Sequence, residues 1–457
     1  MKVNIKEAEM NKRRMKKSGS INRRKFLKKG LLGSGAAFLA PSVLPSLLSA
    51  EVSANNKINF GCIGVGRMGR GDLADLLPFD EIQVVAVCDL DSWRLGNAKA
   101  QVESHYAGQI KNGRFTGCTA YRDYRELLER KDIDAVMVVT PDHWHALPAI
   151  EAARAGKDIF IQKPLTLTIP EGRILSDTVR QYGRILQVGS QQRSDARFRF
   201  AVELVRNGYI GKLKTVKVGF GKDPFTGMHP VKPVPEELDY NYWLGPAPFV
   251  DYIEERVHPH KSYTRPGWLR TSDYCCGMIT GWGSHHMDIA HWGMDTEFTG
   301  PREILGWAEY AQDGVWDVHG AFGITYRYAN GVEIFCADEA INKQGIRFEG
   351  TEGWVFVQRG LIDASPKSLL NVVISAAETR VYNSNNHKGN LIECIHTRRD
   401  PVAPVEIGHR SASACIIGFI AMQLQRPLHW DPEKEQFTDD EEANRMLNRP
   451  YRTPWNI

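Results

Sequence analysis

Residues 58–69 read INFGCIGVGRMG, an apolar run that leads directly into three glycines with the spacing G-x-G-x-x-G. Between a strand and a helix, Gly64 permits a tight turn, Gly66 leaves room for a pyrophosphate, and Gly69 lets the helix pack closely on the strand. The start of that helix offers free N–H groups and a positive dipole end to an anion. The stretch therefore predicts a dinucleotide-binding turn, whose cofactor-contacting residues are Gly64, Gly66, Arg67, Met68 and Gly69.

A second apolar run, IQVVAVC at 82–88, ends at Asp89, and the typical acidic partner of this turn stands about 20 residues after it. A carboxylate there can accept both ribose hydroxyls of NAD, and it would repel the 2′-phosphate of NADP. Arg94 follows closely enough to meet a 2′-phosphate if Asp89 turned aside. The sequence thus predicts NAD, with NADP as the alternative.

Composition places the chain among ordinary globular proteins. Its 457 residues are 42% hydrophobic and 25% charged, which suits two or three domains with ample core. The net charge of +4 comes partly from a basic cluster at residues 12–17. The remainder is close to neutral, which argues against nucleic-acid binding. Eight cysteines form no C-x-x-C pair, so we expect free thiols.

The N-terminus has the features of an export signal. Residues 22–28 read NRRKFLK, and a run rich in Gly, Ala and Leu follows at 30–48. Small residues at 49–50 and 53–54 could serve for cleavage. The pattern predicts a twin-arginine signal on residues 1–54, and hence a protein that uses the twin-arginine machinery to reach the periplasm or another exported location. A permanent membrane anchor is the alternative.

The rest of the chain divides into two patterns. Apolar strands alternate with helices first, which predicts a doubly wound parallel sheet, a Rossmann domain, over residues 55–189. Strands of alternating polarity then predict an α+β domain with a mixed or antiparallel sheet over residues 190–457, one face covered by helices. The predicted strands are 58–63, 82–88, 134–139, 158–161 and 185–188, then 214–219, 304–309, 320–328, 332–337, 345–350 and 353–358.

Residues suited to chemistry follow the ends of these strands, where open α/β sheets bind ligands. The segments are TPDHWH at 140–145, QKP at 162–164 and, opening a helix in the second domain, GWGSHHMD at 281–288. Gln191 and Arg193 follow another strand and are predicted, on the same logic, to face the cleft.

A long segment of little periodicity, 224–271, is rich in Pro, Tyr, Trp and His. Loops of that length usually line functional sites. Its His258, Tyr263 and Trp268 suit a carbohydrate, because aromatic rings stack on sugars and polar groups bond hydroxyls. The alternatives are a hydrophobic lid or an oligomer contact.

Together with the glycine turn, these segments resemble the Gfo/Idh/MocA family of sugar oxidoreductases over essentially everything after the signal. WLGPAP at 243–248 and EIGHRS at 406–411 extend the resemblance. The family implies an N-terminal Rossmann domain and a C-terminal domain with a large open sheet. That sheet often makes the oligomer contact, so the resemblance implies a homo-oligomer.

The resemblance also implies roles for single residues. Lys163 would bond the reacting hydroxyl and stabilise negative charge on its oxygen, and His285 would be the general base or acid. The other residues expected at the cofactor are Thr140, Pro141, His145, Gln162 and Gln191. Two positions depart from the family pattern: Gln162 replaces the usual Glu, and Gly281 stands where relatives often carry an acidic residue.

A metal site is an alternative at the same segment. His285, His286, Asp288 and His291 have a helical spacing that can chelate zinc or manganese. The prediction is no metal, because the resemblance supplies an organic cofactor instead. His286 is expected, with His285 and Arg193, to contact substrate.

The sequence therefore predicts an exported NAD-dependent oxidoreductase that moves a hydride between a sugar or glycoside and tightly bound nicotinamide. One alternative is a redox-neutral NAD-dependent glycoside hydrolase or lyase. The other is a non-catalytic periplasmic sugar-binding protein.

Overall fold

Six parallel strands form the first sheet of the structure, a computed structural model that describes residues 57–457. The strands are β1 (Ile58–Ile63), β2 (Ile82–Cys88), β3 (Thr119–Tyr121), β4 (Ala135–Val138), β5 (Asp158–Ile161) and β6 (Leu186–Val188). Their order is β3-β2-β1-β4-β5-β6, the doubly wound arrangement that the sequence predicts. The predicted twin-arginine signal lies outside the described residues.

Six helices connect these strands: α1 (Arg67–Leu76), α2 (Ser92–His105), α3 (Ala107–Lys111), α4 (Tyr124–Glu129), α5 (Ala146–Arg154) and α6 (Ile169–Gln181). Local sequence fixes where they begin. The Asp91 side chain caps α2 by accepting the backbone N–H groups of Trp93 and Arg94. Thr168 and Glu171 form a reciprocal capping box at α6, which pairs two otherwise free donors.

The second sheet has nine strands: β7 (Leu213–Phe220), β8 (Glu303–Ala308), β9 (Phe322–Arg327), β10 (Glu333–Asp338), β11 (Gly345–Gly350), β12 (Trp354–Gln358), β13 (Leu361–Ser365), β14 (Leu428–Asp431) and β15 (Gln436–Phe437). Their order is β13-β12-β11-β7-β10-β9-β8-β14-β15. Only the β7–β10 pair among these described strands is parallel. The prediction of a mixed sheet is confirmed.

Helices cover one face of the second sheet. The second-domain helices are α7 (Ala196–Arg206), α8 (Tyr240–Leu244), α9 (Met278–Gly281), α10 (Gly283–Met294), α11 (His387–Thr397), α12 (Val405–Leu424) and α13 (Glu441–Arg445). Of these, α7, α10 and α12 pack against its strands, and nearly every residue of α10 and α12 is buried. Leu305 and Trp307 of β8 are exposed.

The chain returns to the first domain near its C-terminus. Leu391 and Ile392 of α11 belong to the same apolar core as β1–β6. Lys388 Nζ lies 2.7 Å from Asp72, and Arg398 lies 2.5 Å from Asp158, so two buried carboxylates of the first domain are paired from α11. The first core thus includes residues far beyond 189.

All eight cysteines are buried, unpaired thiols. This confirms the prediction that the cysteines are free thiols. Within residues 57–457, none of the helices combines the length and apolar character that crossing a membrane requires.

Candidate functional site

A cavity of about 410 Å³ opens at the carboxyl ends of the first sheet and is closed by the second domain. It brings together most of the residues that the sequence points to. Those that line it are Gly64, Gly66, Arg67, Met68, Asp89, Arg94, Thr140, Pro141, His145, Gln162, Lys163, His258, Trp268 and His285. The remaining ones, including Gly69, lie behind or outside its wall.

The geometry of the turn explains why glycine occupies each of three positions. Gly64 has φ +81°, a left-handed conformation that side chains disfavour. A Cβ on Gly69 would lie 2.0 Å from the Gly64 carbonyl oxygen, whereas a Cβ on Gly66 would meet no atom within 4 Å. No side chain caps α1 at Gly66. The open space beside a helix start fits a dinucleotide pyrophosphate.

Asp89 ends β2 and lines the same cavity. Its carboxylate accepts the backbone N–H groups of Val65 and Asp91, both at 2.9 Å. Burial raises the pKa of Asp89, and those two hydrogen bonds act in the opposite direction. The carboxylate is therefore fixed beside the glycine turn, where a ribose would bind.

Arg94 is engaged elsewhere. Its guanidinium donates to the carbonyl oxygens of Pro259 and Ser262 at 3.0 and 2.9 Å, and its Nε lies 3.2 Å from Asp91. These contacts tie α2 to the long loop of the second domain. Because Nη2 and Nε are engaged in this way, fewer donors of Arg94 remain for a 2′-phosphate, which favours NAD over NADP.

Gln162 connects the end of β5 to a buried carboxylate. Its Nε2 donates to Asp72 at 2.7 Å, and its Oε1 accepts the backbone N–H of Lys163 at 3.2 Å. The carboxamide supplies both the donor and the acceptor that these two contacts need, whereas an ionised carboxylate only accepts. An ionised Glu would place a second negative charge against Asp72, so Gln at this position has a local explanation.

The cavity lowers the pKa of Lys163 and raises the pKa of Asp142. Burial lowers the pKa of Lys163; the nearby Asp142 raises it, while Arg359 and Arg265 lower it further. Burial raises the pKa of Asp142 to about 7, against an opposing influence of Lys163. Both shifts favour the neutral forms of the two groups, and shifts of this kind are common among the titratable groups of functional sites. Sequence reasoning missed Asp142, although it stands in the quoted TPDHWH segment.

His285, at the first turn of α10, is a neutral imidazole. Burial, followed by the positive charges of Lys163 and Arg359, holds its pKa well below the usual range. Arg359 Nη2 lies 3.3 Å from His285 Nε2. Since a guanidinium can only donate, Nε2 carries the lone pair and Nδ1 the hydrogen. Nε2 is therefore the basic atom of the site.

Arg359 is a second residue that sequence reasoning missed. It lies in the two-residue loop between β12 and β13, lines the cavity, and places its guanidinium carbon 4.8 Å from the ring centre of Trp282. No motif or strand end of a parallel sheet marks that loop. The glycine after it, Gly360 with φ +80°, was the one local signal of a hairpin tip.

Besides Gly69, four predicted site residues are not part of the cavity wall. Arg193 is buried, with Nε 2.6 Å from Asp288 and Nη1 2.7 Å from Glu297, so it anchors α10. His286 Nδ1 bonds the Gly219 carbonyl at 3.0 Å, because it faces the second sheet. The other two are Gln191, in a 3₁₀ turn (Gln191–Ser194) behind the wall, and Tyr263, whose ring packs 5.0 Å from Trp93.

The metal alternative finds no geometric support. Asp288 is held by Arg193 and by Ser411 at 3.0 Å, and His291 Nε2 lies 2.6 Å from the Tyr328 hydroxyl. These side chains turn toward separate partners. Across residues 57–457, no group of three or more His, Cys, Asp or Glu side chains is placed to hold a metal ion.

The second-domain wall is partly aromatic. Trp268 and Trp282 both line the cavity, and His258 joins them at the domain junction, with Nε2 3.1 Å from Asp91. Gly281 lies on the same wall, and a Cβ there would meet no atom within 4 Å. This wall therefore presents flat aromatic rings to a bound molecule and leaves open space beside Gly281.

Two family models match the chain. Residues 58–190 match the NAD-binding Rossmann fold of the GFO_IDH_MocA oxidoreductase family, and residues 207–457 match its C-terminal alpha/beta domain. The chain belongs to the Gfo/Idh/MocA oxidoreductase family. NAD is accordingly its cofactor, which agrees with the glycine turn and with Asp89.

The chain is similar both to proteins described as glycosyl hydrolases and to a protein described as an oxidoreductase. It is 30% identical over 206 residues to a "Glycosyl hydrolase family 109 protein" of Shewanella pealeana, a match that covers 42% of this chain and 44% of the relative. It is 32% identical over 164 residues to the "Uncharacterized oxidoreductase YrbE" of Bacillus subtilis, covering 36% and 44%. The chain thus spans less than half the length of each.

Solved structures share the fold along nearly their whole length. The WlbA dehydrogenase of Chromobacterium violaceum, in complex with NADH and UDP-GlcNAcA, superimposes with a TM-score of 0.60 at 16% identity, covering 86% of this chain and 99% of that one. The aldose-aldose oxidoreductase of Caulobacter crescentus gives 0.57 at 17% identity, covering 82% and 99%. These likenesses establish the architecture.

Proposed function

We propose that the protein transfers a hydride between a hydroxyl-bearing carbon of a sugar or glycoside and NAD. The observation that carries this proposal is the shared cavity: Lys163 and the neutral His285 line the same space as the glycine turn and Asp89. A cation and a base on one side and a dinucleotide cradle on the other are the parts that carbinol oxidation requires.

Each residue has a distinct part in that reaction. Lys163 donates a hydrogen bond to the substrate oxygen and stabilises its developing negative charge. His285 Nε2 takes the hydroxyl proton as the carbon–oxygen double bond forms, and returns it in the reverse direction. Asp142 lines the same cavity, and its negative charge would favour the protonated form of Lys163. NAD, when bound, accepts the hydride at its nicotinamide ring.

Several features support a sugar as the substrate. Trp268 and Trp282 give the cavity flat apolar surfaces, which suit the faces of a pyranose ring. A structural neighbour is described as an aldose-aldose oxidoreductase. The family models name oxidoreductase chemistry without a substrate, so the sugar is part of the proposal.

A redox-neutral glycoside hydrolase or lyase is the second candidate. The relatives described as glycosyl hydrolase family 109 proteins favour it. In that case the substituent would be eliminated, water would add in its place for a hydrolase, and the hydride would return to the sugar, so that no net NADH forms.

We propose two further properties for the whole protein. The arginine pair at residues 23–24, ahead of an apolar run, supports export by the twin-arginine route. The uncovered face of the second sheet, with Leu305 and Trp307 exposed, supports a homo-oligomer that pairs through it.

The proposal is tested by mass spectrometry of nicotinamide bound to the purified protein, followed by a panel of sugars assayed for keto-sugar product. Lys163→Ala should lower kcat by about 100-fold or more, the usual effect of losing one donor to an oxyanion, while NAD affinity changes little. The exposed Lys99→Ala is the control and should retain full activity. Unchanged turnover in Lys163→Ala would refute the assigned role.

The same panel separates the two candidate reactions. Keto-sugar with stoichiometric NADH supports the dehydrogenase. Released aglycone without NADH supports the hydrolase. Protein that binds no nicotinamide, even when NAD is added, excludes both.

A further inference from the structure

The second-domain wall of the cavity carries two arginines whose charge the proposed hydride transfer does not require. Arg265 and Arg359 both line the cavity and are exposed to it. Both lie close enough to Lys163 to lower its pKa. Three cationic groups therefore share one concave site, where water screens their repulsion less than it would at an open surface.

Few negative charges compensate them. Arg265 Nη2 is 3.6 Å from Asp223 Oδ1, but Arg270 Nε shares that oxygen at 3.8 Å. Burial raises the pKa of Asp223 to about 6 and that of Asp142 to about 7. In the described part of the chain, no carboxylate approaches Arg359 within 4 Å; Asp195 acts on it only from farther away.

The arrangement points to a carboxylate rather than a phosphate. Phosphates in proteins are commonly held by free backbone N–H groups at a helix start. The first N–H groups of α9, in this wall, are already used: Met278 N–H donates to Asp223 at 2.7 Å, and Ile279 N–H to His319 Nε2 at 3.2 Å. Planar guanidinium groups remain, and these match a carboxylate with two parallel hydrogen bonds.

Arg359 also links recognition to the chemistry. Its Nη2 lies 3.3 Å from the Nε2 lone pair of His285, the atom that must accept the substrate proton. A carboxylate that takes the donors of Arg359 frees this lone pair. It also reduces the positive charge near the imidazole, which helps His285 hold a proton.

We propose that the substrate is a sugar acid, or a glycoside of one, whose carboxylate is bound by Arg359 with Arg265. This inference rests on the proposed function and names its substrate class. Binding of the acid places a negative charge near Lys163 and His285 and so favours the protonated lysine that stabilises the reacting oxygen.

The first experiment compares matched substrates on the full chain with its bound cofactor. Methyl glycosides of glucose, galactose and mannose are assayed beside the corresponding methyl glycosiduronates, and keto-sugar product is measured. We expect kcat/KM for at least one uronate to exceed that of its neutral partner by at least ten-fold. Calorimetric titration of the NADH-loaded protein should show the same preference in binding.

Two variants of Arg359 test whether its guanidinium binds the carboxylate. Arg359→Gln should lower the acid-to-neutral ratio of kcat/KM by at least ten-fold, and Arg359→Lys should restore part of it. Arg399→Gln, at an exposed arginine of the same protein, should leave the ratio unchanged.

Gly281 provides an independent probe if the arginine variants fold poorly. Its Cβ position is open, so Gly281→Asp introduces a negative charge into the wall, and Gly281→Asn is its neutral isostere. The acid-to-neutral ratio should fall at least ten-fold in the Asp variant relative to the Asn variant.

Equal ratios in the Asp and Asn variants, or a wild-type preference for the neutral glycosides, would overturn the carboxylate inference. Turnover of neutral glycosides would in that case leave the proposed hydride transfer standing. No product from any glycoside, acid or neutral, would count against the proposed function itself.

Discussion

The Asp142–Lys163 pair sets the charge state of the site. Each group is buried beside the other, and burial favours the neutral form of both. Their mutual attraction opposes burial.

Asp142 makes the stability of the protein depend on pH. Its folded pKa, about 7, is above its usual value of 3.8. The protonated form therefore stabilises the fold, fully below about pH 4, and this contribution is lost as the pH rises through 7. Asn cannot ionise, so we expect Asp142→Asn to be more stable than wild type above pH 7, by roughly 4 kcal/mol at most.

Thermal unfolding of both proteins between pH 4 and 8.5 measures this difference. The gap in Tm should open as the pH rises and close below about pH 4. Asp313→Asn, at an exposed carboxylate, should show no such trend. A gap of constant size would mean that Asp142 is charged in the fold throughout.

Single residues were predictable where a spacing or a strand end marks them. The glycine turn, Asp89 and Lys163 fall in this class. Arg193 follows a strand end too, but a buried carboxylate from α10 captures its guanidinium, which sequence position does not reveal. Arg359 reaches the cavity from a hairpin more than 190 residues after Lys163, a contact that only the folded second sheet creates.

At the level of elements, α1 shows how a helix start depends on one close contact. Gly69 lies in the first turn of α1, where a Cβ would lie 2.0 Å from the Gly64 carbonyl oxygen. Gly71, two residues later in the same helix, is exposed, and its Cβ would meet no atom within 4 Å. The two positions form a matched pair.

Gly69→Ala should therefore separate α1 from β1, lower Tm and weaken NAD binding by at least ten-fold. Gly71→Ala should leave NAD affinity unchanged and raise stability by about 0.5–1 kcal/mol, because alanine is the better helix former. Differential scanning calorimetry and NAD titration measure both effects. Similar NAD affinities in the two variants would contradict the packing argument.

Long elements were more predictable than short ones. The apolar runs of β1 and β2, with six and seven residues, match the observed strands, since strands buried on both faces read as continuous apolar segments. β3, β14 and β15 have two to four residues, too few to show a period. α1 begins at Arg67, where glycines at 69 and 71 hide the helical pattern.

For the whole molecule, the decisive feature is that α11 completes the first domain. Lys388 Nζ lies 2.7 Å from the buried carboxylate of Asp72, and the same carboxylate accepts the amide of Gln162. Gln162 in turn holds the backbone of Lys163. One chain of contacts thus joins the C-terminal part of the protein to Lys163.

Lys388→Met should break that chain by leaving Asp72 buried without its cation. Removing one partner of a buried ion pair typically destabilises a protein by about 3–5 kcal/mol, so Tm should fall by several degrees, and kcat should fall because Gln162 and Lys163 lose their fixed support. Arg399→Met, which breaks only an exposed pair with Glu393, should change stability by about 1 kcal/mol or less. The double variant Asp72→Asn/Lys388→Met should recover part of the lost stability, because it removes the unpaired charge together with its partner. If Lys388→Met lowered Tm no more than Arg399→Met, α11 would not be part of the support for the site.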